Sequence, residues 1–290
     1  KIDLYISMRW IKKMKKILGI ALGAGILLSA CGSNGSPAAD QKEVKFGEIM
    51  NKGKQISYKV YADDNGTLSK NSELGYIIVT NNGKATSYNI KDKTLKDLKD
   101  KSNNEIIDIA KKQDKESFEA DKENYIQSAK ENIKSRQKDV EEFSDEIGEG
   151  GVADSEKAQI PRVSKEIKDM EKINYKEPKA RKLKIKAVED GTGNETEEER
   201  FYLVPPYFSE ENYEGEEGGL TYKFKNNKNI YLGYNTGAKT KKIYNQNYAY
   251  LSDTTDDLED ADFLVTPVSK KTEFSKLDKP DSKYVKAVDE

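Results

Sequence analysis

Hydrophobic positions along the chain change period twice. Between residues 43 and 90 they recur every second residue, as in Gln55–Tyr61, where Ile56, Tyr58 and Val60 fall on one face. Gly75–Thr80 is a short apolar run, and Asn81-Asn82-Gly83 predicts a tight hairpin into a strand over Lys84–Ile90. Asp63-Asp64-Asn65-Gly66 predicts a further turn between the first two strands. From residue 91 to 147 the period becomes helical. Asn103 or Asn104 would cap a short helix carrying Ile106, Ile107, Ile109 and Ala110. A longer helix is predicted from Glu119 to Phe143, with Ile126, Ala129, Ile133, Val140 and Phe143 in one narrow stripe expected to pack on the protein's own sheet. Gly148, Gly150 and Gly151 would end it.

Residues 152–178 suggest a short helix carrying Ile167, Met170 and Ile173, after which the two-residue period returns beyond Pro178. Leu183, Ile185 and Ala187 alternate, and Glu189–Asn194 reads as a turn. Strands are expected at Arg200–Val204, stopped by Pro205-Pro206, and at Leu220–Phe224, Asn229–Leu232, Ile243–Leu251 and Phe263–Val265. The pattern predicts an α+β fold, with antiparallel β segments flanking a charged helical section. The expected division is an N-terminal β-hairpin and helical region (43–151) and a C-terminal β-rich, Tyr-rich region (152–290).

Ahead of these segments the character is different. Lys12 to Lys16 form a basic patch, followed by twelve apolar or small residues from Ile17 to Leu28. Twelve are too few for a membrane-spanning helix, which needs about 20, and suit the core of a secretory signal. The run ends in Leu28-Ser29-Ala30-Cys31-Gly32. This resembles the lipobox of bacterial prolipoproteins at every position. The resemblance implies diacylglyceryl transfer to the Cys31 sulfur by a processing transferase and cleavage after Ala30 by a signal peptidase. It also implies anchoring at the extracytoplasmic face of the cell membrane. Residues 14–30 are then the signal and 31–42 the lipidated Cys with a flexible tether. Met14 opens a signal that is complete by itself, with Met8 a second candidate start, so residues 1–13 are expected to be an over-extension of the reading frame. The Lys, Asn and Tyr bias resembles proteins of AT-rich Gram-positive bacteria such as staphylococci.

Charge and composition sharpen this picture. The 50 Lys and Arg nearly balance 52 Asp and Glu, but residues 1–30 hold six of the bases and one acid, leaving −7 on the remainder. That argues against nucleic acid as a partner and against a broadly cationic, lipid-binding surface. Leu, Ile, Val and Phe number 49 among residues 31–290, about 19%, which predicts modest β-rich cores between solvated segments. Cys31 is the only cysteine and histidine is absent. Disulfides within the chain, imidazole or thiolate metal sites, and His-dependent triads are therefore excluded.

Candidate chemistry is sparse. Ten of seventeen tyrosines follow residue 200, and Tyr231, Tyr234, Tyr244, Tyr248 and Tyr250 could line a ligand site, a flat ring with a hydroxyl being suited to stacking on sugars or gripping a peptide. Equally, alternating Tyr fills half-buried strands. The acidic clusters Glu195–Glu199, Glu210–Glu217 and Asp253–Asp262 lack the spacing of a calcium loop, so no metal and no cofactor is expected. Ser164-Lys165 and Ser282-Lys283 carry no catalytic partner motif. The leading expectation is a membrane-anchored, non-enzymatic binding or interaction module. Its alternatives are a carbohydrate- or solute-binding lipoprotein using the tyrosines, and a hydrolase that relies on carboxylates alone.

Overall fold

The structure is a computed structural model that describes residues 41–143, 152–215, 218–226, 228–253 and 261–288. The signal segment, the lipobox and Cys31 lie outside the described residues. The chain begins β1 (Glu43–Lys45), α1 (Phe46–Asn51), β2 (Lys54–Tyr61), β3 (Leu74–Asn81) and β4 (Lys84–Asn89). A 3-10 turn at Leu95–Leu98 leads to α2 (Asn103–Glu142) and α3 (Val152–Glu171). Then follow β5 (Arg181–Lys182), β6 (Ile185–Glu189), β7 (Thr196–Phe201), β8 (Tyr207–Asn212), β9 (Leu220–Lys225), β10 (Leu232–Tyr234) and β11 (Thr236–Gly237). The last strands are β12 (Lys241–Ile243), β13 (Gln246–Ser252), β14 (Asp262–Val268), β15 (Phe274–Lys276) and β16 (Lys286–Val288).

These elements make an α+β fold. The main sheet has the order β11-β13-β14-β2-β3-β4-β5, with β12 also on β13, and every pairing in it is antiparallel. A second sheet has the order β10-β7-β6-β16, and β8 and β9 form a separate hairpin. Parallel pairs join β1 to β15 and β6 to β16. Strand β14 lies between β13 and β2, and β5 extends β4. Segments 43–151 and 152–290 thus share one sheet, and the expected boundary between them does not separate two folding units.

Central strands are buried on both faces, so β2 carries two patterns at once. Ile56, Tyr58 and Val60 enter one core with Ile77, Tyr88, Phe263 and Val265. The 3-10 turn and the start of α2 cover it through Leu95, Leu98, Ile106 and Ala110. On the other face, Gln55, Ser57 and Lys59 are also buried. Lys59 keeps its charge compensated by Asp262 at 2.9 Å and lies 3.5 Å from the centre of the Tyr61 ring. That face continues into a second core, where Ile78, Leu251, Leu264 and Val268 meet Ile185, Ala187, Phe201 and Leu203, with Phe46, Ile49 and Met50 of α1 among them. The hairpin turn forms as the sequence predicts: Asn82 (φ 47°) and Gly83 (φ 73°) supply two consecutive positive φ values.

The helical section departs from expectation. One helix of 40 residues replaces the two predicted, and Ser102 caps it rather than Asn103 or Asn104. The Ser102 hydroxyl accepts from the Glu105 amide at 3.3 Å, while the Glu105 carboxylate accepts from the Ser102 amide at 2.8 Å. The inward stripe runs through Ile106, Ala110, Asp114 and Ser117, so two buried polar residues interrupt the apolar period while the helix continues. Asp114 accepts from the Asn89 amide at 2.8 Å and from the Tyr175 hydroxyl at 2.9 Å, pinning α2 to the end of β4, and burial pushes its carboxyl up.

Farther along α2, Ile126, Ala129 and Ile133 pack with α3 and the β8–β9 hairpin, through Val163, Ile167, Met170, Phe208 and Tyr222, and not on the main sheet. The predicted short helix is α3, twenty residues long with Pro161 inside it. Proline removes one backbone donor, and tertiary contacts outweigh that loss. Glu166 accepts from the Tyr222 amide at 2.9 Å, and Arg162 donates to the Leu220 carbonyl at 2.9 Å. The Lys122 ammonium closes the far end by donating to the carbonyls of Glu171 and Ile173.

Candidate functional site

Over its last four residues strand β7 alternates, sending Glu199 and Phe201 inward and Glu198 and Arg200 outward. In the register Glu199 stands between Ala187 on β6 and Tyr234 on β10. A fully buried carboxyl in such a row needs a partner, and Asp278, two residues beyond β15, supplies it. The Asp278 amide donates to Glu199 Oε2 at 3.3 Å. Asp278 Oδ2 accepts from the Gly47 amide of α1 at 2.7 Å, and the Thr196 hydroxyl donates to the Asp278 carbonyl at 2.5 Å. Glu199 is 0% and Asp278 3% exposed.

Two buried carboxyls this close cannot both ionise cheaply. Burial pushes Glu199 well up, and the neighbouring Asp278 carboxylate adds to the shift; the nearby Lys45 ammonium opposes it. Burial also raises Asp278, against the hydrogen bonds from Glu199 and the Gly47 amide. Both shifts favour holding a proton within the pair, and the shift is the larger on Glu199. The pair ties β7 of the second sheet to α1 and to the segment after β15.

Asp278 also forms part of the wall of a cleft of about 260 Å³, with Thr196, Asn235, Thr236, Gly237 and Ser275 around it. Gly237 is required by packing: a Cβ there would sit 2.4 Å from the Ser275 carbonyl oxygen, so only glycine lets β11 lie this close to β15. The charged side chains on the rim are already paired, Lys276 with Glu43 at 2.8 Å and Glu195 with Lys279 at 3.1 Å. What the cleft offers is hydroxyls, an amide and backbone, a lining suited to a small, uncharged polar group.

The five tyrosines proposed from sequence are dispersed over the second sheet, a hairpin tip and one core of the main sheet. Tyr234 is 0% exposed and packs on Phe201 with ring centres 6.0 Å apart; burial and the Asp262 carboxylate push its hydroxyl well up. Tyr248 and Tyr250 support the opposite core, Tyr250 edge-on to Phe263 at 5.7 Å. Tyr244 stands at the tip of a hairpin that splits the predicted strand 243–251 into β12 and β13, at φ 53°, with the Lys99 ammonium 4.9 Å from its ring. Tyr231 is exposed beside Tyr202. No single cleft gathers these rings.

Ser164 donates to the Ile160 carbonyl at 2.7 Å within α3, and Lys165 pairs with Asp169 at 3.0 Å. Of the acidic clusters, residues 254–260, 216 and 217 lie outside the described residues; among those described, no three acidic side chains group as a metal site. Sequence reasoning missed Glu199 and Asp278. Glu199 sits within the acidic run Glu195–Glu199, and the signal that sets it apart is the two-residue period, which places it on the face of Phe201 and opposite to Glu198 and Arg200. Comparison with protein-family models, with curated proteins and with solved structures gives no match to this chain.

Proposed function

We propose that the protein is a lipoprotein of the cell envelope, held at the outer face of the membrane by a diacylglyceryl group on Cys31, whose folded body is a non-enzymatic binding module. The observation that carries this reading is Leu28-Ser29-Ala30-Cys31 directly after a basic patch and a twelve-residue apolar run. Residues 31–42 would span at most about 40 Å when extended, which keeps the folded body near its anchor. Among the described residues no helix is long and apolar enough to cross a membrane.

The binding role is favoured over hydrolysis by how the carboxyl pair is used. Backbone amides of Gly47 and Asp278 each hold one oxygen of the pair, and Glu199 is fully buried, away from solvent. The cleft beside them is the place for a small polar ligand, in preference to the tyrosines. Radiolabelled palmitate, supplied to a Gram-positive host expressing the full chain, is expected to enter the wild-type protein. Cys31→Ala should take up none while its folded body keeps the same circular dichroism. Equal labelling of both chains would overturn the reading.

A further inference from the structure

The outer face of the second sheet concentrates positive charge on a chain whose composition is acidic. In the paired register Lys286 of β16, Lys186 of β6 and Arg200 of β7 stand side by side on three adjacent strands, about 4.8 Å apart per strand. Lys184 adds a fourth cation one row away, and its ammonium lies 3.8 Å from the centre of the Tyr202 ring; that of Lys186 lies 5.8 Å away. Arg200 covers the Tyr231 ring at 4.8 Å, and the two tyrosines meet at 5.7 Å. Arg200 shares its charge with Glu198 at 2.6 Å. Lys184, Lys186 and Lys286 have no ion pair among the described residues. Glu199 points inward and Glu198 is paired with Arg200, while Glu189, Glu195 and Glu197 lie toward the β6–β7 turn, at the other end of the strands.

Exposed apolar side chains adjoin the cations at Tyr231, under Arg200, and at Ile230, which precedes it in the chain. Ile230 is 40% and Tyr231 37% exposed. A soluble polyanion gains nothing from an isoleucine, whereas the headgroup boundary of a bilayer takes up an isoleucine and a tyrosine while lysines reach its phosphates. We infer that this face, Lys184, Lys186, Arg200 and Lys286 with Tyr202, Tyr231 and Ile230, docks on an anionic lipid surface. The inference rests on the lipoprotein reading, because the anchor and short tether make that surface the nearest one.

The test uses the full chain carrying Cys31→Ala and Ile230→Cys, with an environment-sensitive fluorophore on residue 230. Residues 1–30 carry six bases of their own and are common to every variant, so contact of the face is read from the difference between variants on anionic vesicles. Vesicles of phosphatidylcholine containing phosphatidylglycerol should shift the label's emission to the blue, and phosphatidylcholine alone should not. High salt should reverse the shift. In the same chain, Lys184→Glu with Lys186→Glu and Lys286→Glu should weaken the response on the order of a hundredfold. Should that variant fail to fold, Lys186→Glu alone should weaken the response on the order of tenfold, and an unchanged response would overturn the inference. No difference between the two vesicles would overturn the inference, as would a label that responds to soluble polyphosphate and not to vesicles. Cys31 is absent throughout, so failure here is separate from failure to be acylated.

Discussion

Glu199→Gln is expected to change the pH dependence of stability more than any other single substitution in the protein. Glu199 is fully buried, and its acid form is the one the fold favours. A carboxyl whose folded pKa is raised binds its proton more tightly folded than unfolded. Its contribution is complete below the ordinary carboxylate range and declines as pH rises toward the raised value, by at most about 1.4 kcal/mol per pH unit for one proton. Glutamine keeps an acceptor for the Asp278 amide and has nothing to titrate. The wild-type chain should therefore lose stability relative to Glu199→Gln from about pH 5 upward, and the variant should be the more stable at neutral pH. Opposite trends come from Asp63, Asp97 and Asp190, whose carboxyls are held down by hydrogen bonds and favour the fold as pH rises. These groups are common to both chains and cancel in the difference. Urea unfolding across that range measures the difference directly, and parallel stability curves would show that Glu199 is not the proton carrier.

Phe201→Ala is expected to cost about 3–5 kcal/mol. The ring is fully buried, edge-on to Phe46 of α1 at 6.4 Å and to Tyr234 at 6.0 Å. It joins the second sheet to the N-terminal helix in a core to which the main sheet also contributes. Because strands from both ends of the chain share that core, the loss should appear as one cooperative transition at lower denaturant, without a separate early step. Tyr231→Ala, on an exposed ring, should stay within about 0.5 kcal/mol of wild type. If Phe201→Ala behaved like Tyr231→Ala, the two sheets would not share a core as described.

Elements whose pattern is local are legible in the sequence. The β2–β4 meander follows from alternation at Ile56, Tyr58 and Val60 and from the Asn82-Gly83 turn, and the fold class follows from the change of period. Elements with polar residues in buried positions are not. Asp114 and Ser117 hide the continuity of α2, and Lys59 hides the second buried face of β2. Long-range pairing was equally out of reach, since the β14–β2 and β1–β15 contacts join positions some two hundred residues apart. For the same reason the carboxyl pair could not be seen: Glu199 and Asp278 are 79 residues apart, and in so acidic a chain neither stands out. The tyrosines form a cluster in sequence, yet Tyr231 and Tyr234 go with the second sheet, Tyr248 and Tyr250 with the main sheet, and Tyr244 with a hairpin tip.

Intact mass of the protein recovered from a membrane fraction tests the anchor most directly. The expected species begins at Cys31 and carries the added mass of a diacylglyceryl group on that residue. A chain that retains residues 14–30, or one that begins elsewhere and carries no lipid, would contradict it.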